Sequence, residues 1–592
     1  MRISLKVVGA QGQGINSVGE ICAKGLKRGG YCVFGYREYM SLIKGGHSSY
    51  QLDISPEKIR STEEKIDILI TFNHHGLEKN AKEVKESGLI LHQTPDWKFS
   101  PEDQKMIDKK KITVVYLPTD EILAKLKAKP ILGNVLITSV VWALLGQDKA
   151  NLQDLVREQF GHKGEKILKE NFDCIDAGFE FCAKHTSIKH LNLPKADPQW
   201  SKHLLVTGSQ AMGLGLIHAG CRFYAGYPMT PSSPLLTYIA DVQNETGMIV
   251  KQAEDEITAA QMMSGAMMMG TRAATATSGG GFDLMTETVS LNGMIENPSV
   301  FIVAQRPGPA TGLPTWTAQG DLFLAVGSAH GEFPKLVMSV SDANDSFTLM
   351  SHAFNYAEEF QIPVIVLTEK QIAEAIYTVE PFQDDTPMQR GVLADEHRLP
   401  ELKSQYRYDP HAHQGVSSRW LPGNKAATFA AQGDEHSADG TVDETAENAR
   451  DQAKKRMAKM EALKQAIPEP RLEGFAQGDD ADWMERDIDL LIVSWGSNSS
   501  VIRDVIWSPD LRNKKIAYLH YTYVWPLRTD ELQKLAKISK KIVLVECNCQ
   551  GQLGKLIQME CSLEIKEKIL KYDGRPFFYN ELLAQIQSFL KS

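Results

Sequence analysis

The stretch Lys251–Glu287, KQAEDEITAAQMMSGAMMMGTRAATATSGGGFDLMTE, decides the fold. Three acids precede a run of alanine and methionine that is apolar on every side, which predicts a buried helix. The short run AATATS then leads through a glycine turn into a second helical pattern. This order of helix, strand, turn and helix predicts a parallel sheet covered by helices on both faces.

The same rhythm recurs in three stretches of the 592-residue chain, so several domains are expected. We predict the α/β class, with three doubly wound parallel-sheet domains at residues 1–185, 203–379 and 487–592. The second opens with the strand candidate HLLVTGS. A linker at 186–202 joins the first two domains. Residues 380–486 are predicted to be a polar excursion that ends in a charged helix, either a solvated arm or a subunit contact.

Composition narrows the classes of function. A formal net charge of −9 leaves no basic excess for neutralising phosphates, so no nucleic-acid partner is expected. The most apolar run, Val135–Leu145, is too short to span a membrane, and the first residues lack a signal-peptide pattern. We therefore expect a cytoplasmic protein without a membrane partner. No cysteine or histidine group has the spacing of a metal site, so no metal ligand is predicted.

The acids before the buried helix are the first candidates for catalysis. Glu254 and Asp255 are suited to capping the helix in solvent. Glu256 adjoins the apolar run, where an ionised carboxylate must be paired, hydrogen-bonded or neutralised. The functional interpretation is that Glu256 faces the ring nitrogen of a buried heterocycle and exchanges a proton with it.

The segment AGYPMTPSSPLLTYIA, residues 225–240, places three hydroxyls where a strand ends and a helix begins. They could cap the helix or donate to a carboxylate at its positive end. The spacing favours capping for Ser232 and Ser233 and leaves both roles open for Thr230.

The segment RPGPATGLPTWTAQGDLF, residues 306–323, follows an apolar strand. Its prolines stiffen a loop from which Arg306 could grip a carboxylate with forked geometry. An arginine that only bonds loop carbonyls fits the same pattern, so both interpretations stay open.

The first glycine turn, VVGAQGQGINSVGEICAKG, follows a strand and opens a helix. The backbone amides of Gly12 and Gly14 could meet an anion there. The turn matches neither the dinucleotide fingerprint nor the phosphate loop, so a tight turn without a ligand is the alternative. Further on, Arg37 and Lys44 flank a second glycine pair, in an anion-facing loop or a subunit contact.

Together, YPMTPSS, EDEI, TSGGGFDLMTE and RPGPATGLPT, followed by Gln319 and Asp321, resemble the 2-oxoacid:ferredoxin oxidoreductases. The likeness is to the alpha subunit of the 2-oxoglutarate type with a fused gamma domain. It implies a gamma domain at 1–185, a thiamine diphosphate pyrimidine-binding domain at 203–379 and a transketolase C-terminal-like domain at 487–592. The segments REYMSLIKGGH, VECNCQGQL and KYDGRPF support the first and third of these.

The resemblance implies a role for each candidate residue. Glu256 corresponds to the acid that shares a proton with the aminopyrimidine ring of thiamine diphosphate. The other implied contacts are Pro228 and Gly279 to the cofactor, Thr230, Arg306 and Thr315 to the substrate, and Gly12, Gly14, Arg37 and Lys44 to coenzyme A or another anion.

The resemblance also implies partners. The diphosphate and magnesium motif of the family and a cysteine set for a cluster are both missing from this sequence. A beta subunit would then carry the diphosphate site, Mg²⁺ and a [4Fe–4S] cluster in an (αβ)₂ heterotetramer. Ferredoxin would accept electrons, and coenzyme A would be the co-substrate.

The implied reaction converts 2-oxoglutarate, coenzyme A and oxidised ferredoxin to succinyl-CoA, CO₂ and reduced ferredoxin, or runs in reverse. Gly280 and Asp283 stand where the family commonly has proline and serine, which leaves pyruvate, branched-chain and aryl-pyruvate substrates as alternatives. Two other classes stay open: a non-catalytic scaffold subunit, and a nicotinamide-dependent dehydrogenase built on the first glycine turn.

Overall fold

The computed structural model describes most of the chain, namely residues 2–42, 45–185, 191, 193–402, 404–474 and 487–591. Its strands and helices alternate and form three largely parallel sheets, so the predicted α/β class is confirmed. The predicted domain boundaries themselves stay predictions.

In chain order the strands are β1 Ile3–Gln11, β2 Cys32–Tyr39, β3 Gly45–Ser55, β4 Ile66–Thr71, β5 Val84–His92, β6 Thr113–Tyr116, β7 Leu204–Thr207, β8 Phe223–Gly226, β9 Ile249–Gln252, β10 Ala273–Thr277, β11 Ser299–Gln305, β12 Leu336–Ser339, β13 Pro363–Glu369, β14 Ile376–Val379, β15 Arg471–Gly474, β16 Leu490–Trp495, β17 Ile516–Tyr521, β18 Tyr523–Trp525, β19 Ile542–Glu546 and β20 Glu567–Leu570.

The α-helices are α1 Ile15–Arg28, α2 His74–Asn80, α3 Pro101–Lys110, α4 Thr119–Leu126, α5 Gly133–Leu144, α6 Lys149–Phe160, α7 Glu165–Lys184, α8 Gly208–His218, α9 Ser233–Asp241, α10 Gln243–Thr246, α11 Glu256–Met268, α12 Gly279–Met294, α13 Leu322–Gly327, α14 Ala343–Phe360, α15 Lys370–Glu374, α16 Ala446–Ala466, α17 Asn498–Ile506, α18 Asp530–Ile538, α19 Gln552–Cys561 and α20 Tyr579–Lys591.

The chain divides into two compact units. Unit 1 is formed by Met1–Val206, Ala375–Pro381 and Phe578–Ala584, and unit 2 by Thr207–Glu374, Phe382–Phe577 and Gln585–Ser592.

Unit 1 contains an eight-stranded sheet of order β6-β5-β4-β1-β3-β2-β14-β7. Strands β1, β4, β5 and β6 run parallel, as predicted. Strands β2 and β3 run antiparallel, because residues 40–44 are too few for a crossover helix. The strand candidate HLLVTGS forms β7, but β7 belongs to this first sheet rather than to the second, since its Leu205 packs against the core of unit 1.

The most apolar run of the sequence belongs to the core of unit 1. Helix α5 contains Val140, Val141 and Trp142, which are all fully buried. Across the described part of the chain, no helix is long and apolar enough to cross a membrane.

Unit 2 contains the other two sheets. The seven-stranded sheet has the order β18-β12-β13-β11-β10-β8-β9, and the five-stranded sheet has the order β15-β17-β16-β19-β20. Pairing is parallel except at the edge strands β18 and β15. One apolar core joins the two sheets, with Val303 and Leu367 of the larger sheet and Leu519 and Leu544 of the smaller.

The charged helix predicted at the end of the polar excursion forms α16, but it is not a solvated arm. Lys455 and Lys459 lie one turn apart and are 2% and 0% exposed. Both pair with the buried carboxylate of Glu296. The sequence of the helix does not indicate this buried face, because the residues that point inward are themselves charged.

Candidate active site

The three sequence motifs of unit 2 meet at one edge of the seven-stranded sheet. Strands β8, β10 and β11 run parallel as neighbours, so their carboxyl ends lie together. The Thr230 loop follows β8, Gly279 begins the helix after β10, and Arg306 follows β11. Parallel α/β sheets characteristically bind ligands at this edge.

Glu256 is buried at the start of α11. Asp255 is the N-cap residue of this helix and accepts a hydrogen bond from the Thr258 backbone N–H at 2.7 Å. Capping is therefore performed by Asp255, and the Glu256 side chain is left for another role. Glu256 is 4% exposed, and its Oε1 has no hydrogen-bond partner among the described residues.

The glycine turn after β10 makes room for this carboxylate. A Cβ built on Gly281 would lie 1.9 Å from Thr277 Oγ1 and 2.8 Å from Glu256 Oε1. Any larger residue at this position would displace Glu256 or Thr277. Gly281 therefore allows the Glu256 carboxylate to lie against the first turn of α12.

Four buried polar atoms of this region lack a partner within the described residues: Glu256 Oε1, Thr277 Oγ1, Ser278 Oγ and Asp321 Oδ2. Leaving a buried polar group unpaired costs about 1–3 kcal/mol. Such a concentration is expected where a bound ligand completes the hydrogen bonds. The mixture of hydroxyls and carboxylates suits a ligand with both donors and acceptors, such as an amino-substituted heterocycle.

Arg306 brings two of the predicted substrate contacts together. It is 9% exposed, and its Nη1 donates to the Thr230 carbonyl oxygen at 2.6 Å. The alternative in which this arginine bonds a loop carbonyl is thus realised, and the same bond places Thr230 beside the guanidinium. Burial lowers the pKa of Arg306, and the charge of Asp321 opposes that effect. Thr315 is buried on the same loop.

Ser232, the first serine after Thr230, differs from the prediction. Ser232 occupies the N-cap position of α9, but its side chain does not cap the helix. Its Oγ donates instead to the Met229 carbonyl oxygen at 2.6 Å. Capping by Ser232 was therefore a wrong prediction, because the tight turn offers its hydroxyl a nearer acceptor. Pro228 is exposed in the same loop.

Asp321 is a site residue that the sequence motif marks only by position. Its Oδ2 would lie 2.5 Å from a Cβ built on Gly279, so the carboxyl group lies directly against this predicted cofactor contact. Burial and the nearby Asp283 raise the pKa of Asp321 to about 6, and Arg306 opposes the shift. Asp321 is among the residues that carry the family resemblance, but the sequence assigns it no role.

The far end of the Arg306 loop is anchored on the five-stranded sheet. Gln319 is fully buried, and its Nε2 donates to the Trp495 carbonyl oxygen at 2.9 Å and to Glu369 Oε1 at 3.2 Å. Its Oε1 accepts from Asn498 Nδ2 at 2.7 Å and from the Cys547 backbone N–H at 2.9 Å.

Two further contacts hold the loop. The Thr317 backbone N–H donates to the Gly574 carbonyl oxygen at 3.1 Å. The guanidinium of Arg575 lies 3.7 Å from the ring centre of Trp316. The segments VECNCQGQL and KYDGRPF, with Cys547 in the first and Gly574 and Arg575 in the second, thus position the Arg306 loop within unit 2.

The candidate anion contacts of unit 1 are only partly grouped. Gly12 and Gly14 have φ angles of 92° and 89°, as a glycine turn requires. Arg37 lies on β2, over the rings of Tyr39 and Tyr50 at 5.5 and 5.9 Å. Lys44 lies outside the described residues. An anion-binding role for this group stays a prediction.

Comparison with protein-family models gives two matches along the chain. Residues 4–181 match the model described as pyruvate ferredoxin/flavodoxin oxidoreductase. Residues 214–461 match the model described as pyruvate flavodoxin/ferredoxin oxidoreductase, thiamine diP-bdg. The second match contains the whole constellation from Thr230 to Asp321.

Individual relatives cover the chain more fully. It is 32% identical to the 2-oxoacid:ferredoxin oxidoreductase subunit alpha of a Sulfolobus species, over 98% of this chain and 96% of that protein. It is 27% identical to the 2-oxoglutarate synthase subunit KorA of Methanothermobacter marburgensis, over 65% of this chain and 99% of that protein.

One solved structure is similar over the whole chain. It is the 2-oxoglutarate:ferredoxin oxidoreductase from Magnetococcus marinus with 2-oxoglutarate, coenzyme A and succinyl-CoA bound. The TM-score is 0.90 at 28% identity, and the match covers 100% of this chain and 99% of that one.

Proposed function

Because the chain belongs to the 2-oxoacid:ferredoxin oxidoreductase family, we propose that it is the alpha subunit of a 2-oxoglutarate:ferredoxin oxidoreductase. The observation that carries this proposal is the set of unpartnered buried atoms around Glu256. These atoms lie inside the segment that matches the thiamine diphosphate-binding model. The names of the KorA relative and of the similar solved structure support 2-oxoglutarate as the substrate.

The residues present fit the aminopyrimidine ring of thiamine diphosphate. Glu256 Oε1 is a buried acceptor without a partner among the described residues, and the lack of a side chain at Gly279 and Gly281 lets Asp321 and Glu256 lie against the start of α12. When bound, thiamine diphosphate supplies the carbon nucleophile for cleavage of the 2-oxoacid. Glu256 holds the proton that is shared with the ring nitrogen. Pro228 and Gly279 line the cofactor side of the site.

The substrate carboxylate is bound from the opposite loop. Arg306 offers a guanidinium that stays cationic at physiological pH and suits a carboxylate. Its hydrogen bond to the Thr230 carbonyl fixes the direction in which the guanidinium points. Thr230 and Thr315 supply hydroxyls beside it. These residues orient the 2-oxoacid so that its keto carbon faces the cofactor.

A partner subunit completes the enzyme in this proposal. The Sulfolobus relative is named as a subunit alpha, which supports a beta partner for this chain. We assign the diphosphate site, Mg²⁺ and a [4Fe–4S] cluster to that beta subunit, in a cytoplasmic (αβ)₂ heterotetramer that reduces ferredoxin. Coenzyme A receives the acyl group, and Gly12, Gly14, Arg37 and Lys44 are its candidate contacts.

The test is an assay of the purified αβ complex. Coenzyme A-dependent reduction of ferredoxin is measured with 2-oxoglutarate, pyruvate and 2-oxoisovalerate. The proposal predicts the highest kcat/KM with 2-oxoglutarate. A higher value with another 2-oxoacid would reassign the substrate, and no turnover with any of them would favour a scaffold subunit. Reduction of NAD without ferredoxin would favour the dehydrogenase alternative.

A further inference from the structure

Asp321 is a half-buried acid whose position the fold alone does not explain. It is the residue before α13, where an aspartate commonly caps a helix, yet its side chain makes no capping hydrogen bond. Its backbone N–H is held by Gln305 Oε1 at 3.1 Å, which fixes the residue at the end of β11. Its carboxyl group lies against Gly279, with Oδ2 buried and unpartnered among the described residues.

The charged neighbours of Asp321 come from two elements. Helix α12 contributes Asp283, a like charge, and the end of β11 contributes the cation Arg306. Helix α19, which packs against α13, contributes the neutral Gln552, whose side chain donates to the Gly320 carbonyl oxygen and accepts from the Phe323 backbone N–H on either side of Asp321. Asp321 and Arg306 interact through their charges, without a hydrogen bond between them among the described residues. Burial and Asp283 thus favour the neutral acid, and Arg306 favours the carboxylate.

A substrate carboxylate changes this balance. Bound to Arg306, it compensates the positive charge that favours ionised Asp321, and it adds a second anion near the buried Oδ2 of Asp321. Two carboxylates in a poorly solvated site do not both stay ionised without a partner. We propose that Asp321 takes up one proton from solvent when a 2-oxoacid binds at Arg306, so that the substrate meets a neutral acid. This inference rests on the proposed role of Arg306.

The first test is the pH dependence of KM for 2-oxoglutarate in the αβ complex. Both substrate carboxylates are fully ionised between pH 7 and 8, so the substrate itself contributes no slope. Coupled uptake of one proton raises KM about tenfold per pH unit in this range. In Asp321→Asn the KM should change less than about twofold over the same range. Asp283→Asn is the control and should keep the steep rise, because Asp321 is retained.

The second test counts protons directly. Calorimetry with glutarate, which has two carboxylates and no keto group to react, is run in two buffers of different ionisation enthalpy. About one proton per bound glutarate is expected for the wild-type complex and none for Asp321→Asn. An active complex with a flat KM profile would overturn the inference, as would equal proton uptake in wild type and Asp321→Asn. An inactive complex would instead count against the proposed function.

Discussion

Glu296 and Glu256 are both buried carboxylates of unit 2, with exposed fractions of 1% and 4%, but their surroundings differ. Both oxygens of Glu296 pair with lysines, Lys455 on one side and Lys459 on the other. The two lysines hold the pKa of Glu296 well below its usual range. Glu256 Oε1 has no partner in the described part of the chain.

This difference distinguishes a buried charged residue that stabilises the fold from one that binds a ligand. A buried carboxylate between two cations is satisfied by its own chain and needs no ligand. A buried carboxylate beside unpaired hydroxyls and a second acid is satisfied only when something binds. We therefore expect the Glu296 cluster to determine stability, and the Glu256 and Asp321 region to determine catalysis.

The largest effect is expected from breaking the Glu296 cluster. Lys459→Met removes one of the two lysines that pair with the buried carboxylate of Glu296. This loss should reduce the free energy of unfolding by about 3–5 kcal/mol. Urea denaturation measures this loss. Turnover per folded molecule should be retained. Lys149→Met, which removes an exposed ion pair with Asp176, is the control and should cost less than about 1 kcal/mol. Equal losses in the two variants would contradict the comparison.

The converse substitution is Glu256→Gln. Loss of the shared proton should reduce turnover of the αβ complex at least about 100-fold. The melting temperature should not fall, because Glu256 Oε1 makes no hydrogen bond within the described chain. Glu254→Gln, at an exposed neighbouring position, should stay within about twofold of wild type. Full activity in Glu256→Gln would favour the scaffold alternative.

The contributions of the two regions to the free energy of unfolding should also change with pH in opposite directions. The pKa of Asp321 is raised to about 6 in the folded chain. The contribution of this group to the free energy of unfolding is therefore complete at pH values below the pKa of the same aspartate in the unfolded chain. The contribution is lost as the pH rises through 6. Asp321→Asn should therefore stabilise the isolated chain by about 1–3 kcal/mol at pH 8, with no gain at pH 3.

The lowered pKa of Glu296 acts in the other direction. Glu296 contributes to the free energy of unfolding at pH values above its pKa in the unfolded chain. This contribution is lost as the pH falls toward its pKa in the folded chain. Midpoints of urea denaturation at pH 3, 5 and 8 for wild type and Asp321→Asn measure the contribution of Asp321 to stability. A constant difference between the two proteins across this range would contradict its assignment.

Sequence reasoning predicts the α/β class and identifies the three motifs of unit 2, because strands and glycine turns leave local patterns. It selects Glu256 for a physical reason, since an acid beside an apolar helix needs a partner. It does not predict that one face of α16 is buried, because lysines in a sequence indicate a solvated surface, and the pairing of Lys455 and Lys459 with Glu296 appears only in the folded chain. Asp321 is named with the family motif but receives no role from the sequence, because its position against Gly279, 42 residues earlier, appears only in the folded chain.

The smallest expected effect comes from the outer support of the substrate loop. Arg575→Ala removes the guanidinium from the face of Trp316, a contact worth about 0.5–1 kcal/mol at partly exposed sites. The KM for 2-oxoglutarate should rise about two- to fivefold while kcat changes less. Steady-state kinetics of the αβ complex measure both constants. An unchanged KM would show that the hydrogen bonds of Gln319 position the loop without Arg575.

The central claim is that Glu256 Oε1 has no partner among the described residues because a cofactor ring completes its hydrogen bonds. An experimental structure of the αβ complex with thiamine diphosphate tests it most directly. The account predicts Glu256 Oε1 within about 2.6–3.2 Å of a nitrogen of the aminopyrimidine ring. A structure in which the ring lies elsewhere, with Glu256 bonded only to protein groups, would contradict it.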